Sequence, residues 1–312
     1  MPRRSKRNRN HTDSDEKTAQ DDTTADLTKS VLGGLKGGRR LDGSEDKQQG
    51  TTTFKVPFND KFIICQKYHG PSADENASLI FTHGAGGGIA NPATVEFAKG
   101  FASAKSALCF QGTMNLKNRV KCFTAVLDEH KAAMALGGRS MGARAATITA
   151  TDHADTVSTL ILVSFPLTSE RGGESREDIL LNIPGSIDVL FITGDGDKMC
   201  NMVNLSRVRR QMKARSWSVV IRGADHSMSL KDKRGVAAMR AKTGQIAAEW
   251  LQDRPERTEV IVSWDAETSE IEVGEWQGGL GRARLSKKDA DDNPEESEPE
   301  KPQARKRQKK RA

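Results

Sequence analysis

The sequence predicts an α/β protein: a doubly wound, mostly parallel sheet with helices on both faces, set between disordered charged tails. Three observations carry that reading. The runs STLILVSF (158–165) and IDVLFITG (187–194) are continuously apolar, as expected of central parallel strands covered on both faces. Between residues 51 and 254 short apolar runs alternate with stretches of helical period. Two of the apolar runs lead directly into glycine-rich turns, HGAGGG (83–88) and GGRSMG (137–142).

Taken in order, residues 1–50 are rich in Asp, Thr, Lys, Gly and Gln and read as a disordered polar segment. TTTFKVPF and FIICQKY form an antiparallel pair turning at Asn59-Asp60. SLIFTHG (78–84) is a buried strand entering the first glycine loop, and SALCFQG (106–112) is the next strand. Residues 119–134 read as a helix, with Val120, Phe123, Val126, Leu127 and Met134 on one face and His130 inside it. A short strand through Ala135 and Leu136 meets GGRSMG, and MGARAATITA continues as a small-residue helix ending at His153. After the two central strands, 202–215 reads as a helix, 217–223 as a strand and 232–252 as a closing helix. The main domain is therefore placed at 51–254. Period-2 alternation around DAETS marks a β-hairpin extension within 255–285, and 286–312 reads as a disordered acidic-then-basic tail.

The 312 residues are 35% hydrophobic and 29% charged, which fits a folded centre with polar ends. Residues 1–10 carry five basic side chains and 301–312 carry seven, with no acid in either stretch. Those charges exceed the whole net +7, so the centre is net acidic and is not a basic nucleic-acid-binding domain. The tails alone offer non-specific phosphate contact, and RKRQKKR has the character of a nuclear import signal. Cys65, Cys109, Cys122 and Cys200 form no CxxC pair, which points to a reducing compartment and to no zinc site. The first residues lack the apolar core of a secretory signal, and no apolar run approaches bilayer length. The expectation is an intracellular protein, nuclear or cytoplasmic, with no membrane association and no cofactor.

Chemistry concentrates at Gly138-Arg139-Ser140-Met141-Gly142, a G-x-S-x-G pattern. A serine at a sharp strand-to-helix turn stands clear of the sheet, and glycines two before and two after let the two backbones approach. The Met141 amide would then face a developing oxyanion. A serine needs a base. Of the six histidines, His11, His69, His130 and His153 lie in the tail, beside an early strand or on helices. His226, in GADHSM, directly follows the last central strand. In the α/β-hydrolase arrangement the chain order is Ser, acid, His, each on a loop at the carboxyl end of a strand. The acid falls after IDVLFIT, in Gly194-Asp195-Gly196-Asp197-Lys198, where spacing alone prefers neither aspartate. Asp197 is taken, with Asp195 as the alternative. The loop after SLIFT would supply a second oxyanion amide from Ala85, with Gly86 as the alternative, and His83 reads as a brace for that loop. A phosphate-binding loop is excluded there, because no GK[ST] follows and the glycines do not fit G-x-G-x-x-G.

With FTHGAGGG (81–88), GGRSMGARAA (137–146), LVSFPL (162–167), LFITGDGDKMC (190–200) and RGADHSM (222–228) in this order, residues 52–252 resemble a known family. It is the dienelactone-hydrolase-like α/β-hydrolases that include the third subunit of the NSL histone-acetyltransferase complex and its testis-expressed relative. The resemblance implies the α/β-hydrolase fold and a serine hydrolase of unassigned substrate. Its G-x-x-D pattern implies Asp197 as the acid. Some relatives lack a full triad and serve as complex subunits, whereas this chain keeps Ser140, Asp197 and His226. The leading expectation is an esterase-type hydrolase acting on a small acyl ester or thioester. The alternative is a non-catalytic scaffold in a protein complex, such as a chromatin-complex subunit. The segment 166–184 is short and polar, so at most a small lid is expected over the site.

Overall fold

The computed structural model describes residues 50–72, 76–133, 135–169 and 172–278. The charged tails, with the import and phosphate-contact readings placed on them, lie outside the described residues, as does Met134. Among the described residues one sheet of ten strands runs in the order β1-β2-β4-β3-β5-β6-β7-β8-β9-β10. The strands are β1 Thr51–Phe58, β2 Lys61–Tyr68, β3 Leu79–Thr82, β4 Ala107–Phe110 and β5 Ala135–Arg139, followed by β6 Thr159–Val163, β7 Asp188–Gly194, β8 Ser216–Ile221, β9 Glu259–Asp265 and β10 Glu270–Val273. From β4 to β9 neighbours are parallel, while the β1–β2 hairpin and β10 add antiparallel edges. β9 pairs directly with β8 and so extends the main sheet.

Among the described residues six α-helices cover the faces: α1 Pro92–Ala102, α2 Leu116–Glu129, α3 Met141–Asp152, α4 Glu177–Leu181, α5 Met202–Gln211 and α6 Val236–Gln252. Asn91, Asn115 and Asn201 cap α1, α2 and α5 by accepting from backbone amides two or three residues on. The caps correct two expected boundaries. Asn115 starts α2 at 116 rather than 119, and the helix stops at Glu129, leaving His130 as its C-cap. Helix α5 ends at Gln211, short of 215. Helices α1 and α4 were not anticipated, although Asn91-Pro92 is a cap followed by the proline that favours a first helical turn.

Alternate residues along the buried parallel strands feed two cores. Ile80, Leu136, Leu160, Leu162 and Phe191 pack with α2, α3 and α5 on one face. Leu79, Phe81, Ile161, Leu190 and Ile192 pack with α1 and α6 on the other. Both faces being apolar is why the central strands read as unbroken hydrophobic runs. On the second face α1 and α6 touch backbone to backbone. A Cβ on Gly100 would stand 1.8 Å from the Ala241 carbonyl oxygen, and one on Gly244 would stand 2.0 Å from that of Phe97. Gly100→Ala must therefore push the helices apart, and a loss of about 3 kcal/mol is expected in urea unfolding, at the upper end of ordinary overpacking costs.

Candidate active site

Three loops meet above the carboxyl ends of interior strands of the sheet, those after β5, β7 and β8. Ser140 follows β5 and holds φ 52 and ψ −112, a conformation that costs energy for any residue with a Cβ. The surrounding structure enforces it: the Ser140 amide donates to Val163 O at 2.9 Å, and the flanking glycines leave no alternative path. A Cβ on Gly138 would lie 2.3 Å from the Gly142 carbonyl carbon, and one on Gly142 would lie 2.4 Å from Thr82 O. The two glycines thus do what their spacing suggests, and they also bring the loop after β3 against the start of α3.

Ser140 Oγ lies 2.8 Å from His226 Nε2, and His226 Nδ1 lies 2.8 Å from Asp197 Oδ2. Donation from Nδ1 to the carboxylate leaves Nε2 free to accept the serine proton. Asp197 is 3% exposed, and its other oxygen accepts the Met199 amide at 2.8 Å, so the carboxylate is fixed at both ends. Asp195 does not reach the imidazole. Its Oδ1 accepts the Gly223 amide at 2.6 Å and ties the loop after β7 to the loop after β8.

The histidine loop is held by groups that sequence reasoning passed over. Asp225 Oδ1 accepts the amides of Ser227 and Ser229. Arg139 Nη2 donates to His226 O at 3.0 Å, while Arg240 donates to Ser227 O and Met228 O. Arg240 is itself anchored to Glu96 on α1 at 3.1 Å. Arg139 sits inside the serine motif and could have been questioned for that reason. Nothing in the sequence marks Arg240 or Glu96.

The loop after β3 runs along the same cleft. Ala85 lies on its wall, and the Gly86 amide is engaged elsewhere, donating to Met114 Sδ at 3.1 Å. His83 is buried, accepts the Gly112 amide on Nε2 at 3.0 Å and donates from Nδ1 to Gly84 O at 2.7 Å. Burial, then the nearby Arg119 guanidinium, push its pKa down to about 4, so it braces the loop as a neutral ring. The cleft has a volume of about 760 Å³, and Ala85, Asn91, Arg139, Lys198 and Arg240 are among the residues around Ser140 and His226. The segment 166–184, expected to form at most a small lid, contributes no lining residue among those described, and the start of α1 supplies Asn91, Pro92 and Ala93 to the wall. All four cysteines are buried, and burial raises the Cys200 thiol to about 12, so it stays protonated and unreactive at neutral pH. Among the described residues no group of three His, Cys, Asp or Glu side chains could hold a metal ion. No described helix is long and apolar enough to cross a membrane.

A family model described as an alpha/beta hydrolase domain matches residues 113–252, a stretch that contains Ser140, Asp197 and His226. Solved structures share the architecture at low identity. Est1E from Butyrivibrio proteoclasticus is 15% identical, with a TM-score of 0.52, over 64% of this chain and 99% of its own. A dienelactone hydrolase from Anabaena variabilis is 16% identical, with a TM-score of 0.52, over 65% of this chain and 98% of its own. An alpha-beta serine hydrolase homologue from Coxiella burnetii is 17% identical, with a TM-score of 0.51, over 62% and 96%. The chain has the α/β-hydrolase fold, with a mostly parallel sheet flanked by helices.

The buried neutral His83 carries a pH signature. Its pKa of about 4 lies below the ordinary 6.5, so the unfolded chain binds the extra proton in that window. Stability from this group is complete above pH 6.5 and falls as pH drops toward 4, by about 3 kcal/mol in all. Urea unfolding across that range should show the loss, and His83→Asn should flatten it.

Proposed function

We propose that the chain is a serine hydrolase of esterase type, acting on an ester or thioester of a small acyl group. The observation that carries this reading is the bonded series from Ser140 Oγ through the His226 ring to the buried Asp197, with both contacts at 2.8 Å. Ser140 Oγ attacks the acyl carbonyl carbon while His226 Nε2 takes its proton. Asp197 holds the ring tautomer and stabilises the imidazolium. The carbonyl oxygen becomes an oxyanion that the Met141 and Ala85 amides receive. Collapse expels the alcohol or thiol, which takes the proton from Nε2 and leaves an acyl-serine. Water then attacks the acyl carbon, gives a proton to Nε2, and releases the carboxylic acid as that proton returns to Ser140.

The surroundings suit this sequence of steps. The helix that begins at Met141 directs its free amides at the nucleophile, where negative charge develops. Arg139, Lys198 and Arg240 give the cleft a polar, cationic wall, which favours a small or polar acyl compound over a long alkyl chain.

A fluorophosphonate probe tests the reading without knowledge of the substrate. Wild type should label, and both Ser140→Ala and His226→Ala should abolish labelling. Asp197→Asn should slow turnover of an activated ester by about 10,000-fold, as when the acid partner of such a histidine is lost. Asp195→Asn should change it only a few-fold, since Asp195 bonds a loop amide rather than the ring. A folded wild type that takes up no probe overturns the proposal.

A further inference from the structure

Arg119, on α2, is entirely buried and among the described residues has no carboxylate partner. Its guanidinium serves backbone carbonyls instead. Nε donates to Thr113 O at 2.7 Å, and Nη1 donates to His83 O and, at 3.0 Å, to Gly84 O. Nη2 is buried with no hydrogen-bond partner. Taking an unpaired guanidinium out of water is costly, and a charge placed so deliberately against one loop calls for a reason. Burial lowers its pKa only to about 10, so the group is cationic at neutral pH.

The reason follows from peptide geometry. The Gly84 carbonyl is held from the buried side by two donors, Arg119 Nη1 and His83 Nδ1. The peptide joining Gly84 to Ala85 is trans, so its N–H points opposite to its C=O. With the carbonyl pinned toward Arg119, the Ala85 amide is turned to the other side, where Ala85 and Ser140 share the cleft wall. The peptide's first residue stands beside the serine: a Cβ on Gly84 would be 3.5 Å from Ser140 Cβ. A cation on the carbonyl also polarises that peptide and strengthens its N–H as a donor. The neighbouring Gly86 amide is already committed to Met114 Sδ, which leaves Ala85 as the amide this strut controls.

We infer that Arg119 is a positioning residue for the oxyanion hole: it fixes the Gly84–Ala85 peptide so that the Ala85 N–H faces the oxygen of the carbonyl group whose carbon Ser140 attacks. The inference rests on the hydrolase reading above. It assigns Arg119 no contact with substrate. Its effect reaches the reaction through one amide, so it belongs to the transition state and not to ground-state binding.

The test uses the full chain, with p-nitrophenyl acetate as substrate and turnover expressed per fluorophosphonate-reactive site. Arg119→Lys keeps the charge but not the fork of donors. It should lower kcat roughly 10- to 100-fold with KM within about twofold, short of the 100- to 1,000-fold cost of deleting an oxyanion donor. The acid limb of the pH profile should stay in place, because Asp197 and His226 are untouched. Ala85→Pro, which lacks the N–H, should lose more, and combining it with Arg119→Lys should add little, since both act through one bond.

Gly112→Ala provides a second route should Arg119→Lys fail to fold. Its new methyl would stand 2.7 Å from Arg119 Nε, shifting the guanidinium without removing it, and it should lower kcat in the same way. A folded variant of either kind with wild-type kcat overturns the inference, as does additive loss in the double variant. A wild type that neither turns over nor labels overturns the hydrolase reading. In that case the amide resonance of Ala85 decides Arg119: it should shift and exchange faster in whichever of the two variants folds, and an unchanged resonance overturns the inference.

Discussion

Everything at the site depends on one steric fact: β5, the start of α3 and the loop after β3 meet where no side chain fits. Gly138 and Gly142 face each other and the carbonyls of Thr82 and His83 at distances that exclude even a methyl group. The crossing forces Ser140 into its strained turn, lifts its hydroxyl above the sheet, and sets the β3 loop alongside it. A methyl group at either glycine would drive these backbones apart and move Ser140 away from the β3 loop. The strain at Ser140 is offset by the packed helix and sheet on either side, an example of local cost carried by the surrounding fold.

Upon that crossing the chain builds a framework of guanidinium-to-carbonyl bonds. Arg119 holds the loop after β3, Arg139 and Arg240 hold the loop that carries His226, and Arg209 ties α5 to β8 and β9 through Ser216, Thr258 and Glu259. Loops at strand ends have backbone groups that no ladder satisfies, and arginine, with five donors on a planar head, can serve several at once. The loops of the site are thus tied to the body of the domain by hydrogen bonds to their backbone.

Much of this was legible in the sequence, and for identifiable reasons. Strands β6 and β7 announced themselves because both faces are covered. The Ser140 motif was visible because its glycines answer a local steric demand at fixed spacing. Asp195 and Asp197 could not be separated by spacing, since both lie on the same turn and only the three-dimensional path decides which reaches His226. Helix α1 is marked in the sequence only by Asn91 and Pro92 at its start, since its interior mixes small, apolar and charged residues directly after a glycine loop. Arg119, Arg240 and Glu96 were illegible for a deeper reason. Their partners are backbone carbonyls and one distant carboxylate, which leave no pattern of residue types along the chain.

The contact of α1 with α6 lies on the far face from the Ser140 helix, yet it bears on the site. Glu96 and Arg240 belong to those two helices, and Arg240 grips the loop carrying His226. The spacing of the helices, fixed by Gly100 and Gly244, thus sets where Glu96 and Arg240 stand, and Arg240 is one support of the loop carrying His226. Substitutions at Lys198 or Met199 alter the cleft wall alone, whereas a single methyl group at a buried helix crossing reaches the support of the His226 loop from the opposite face of the sheet.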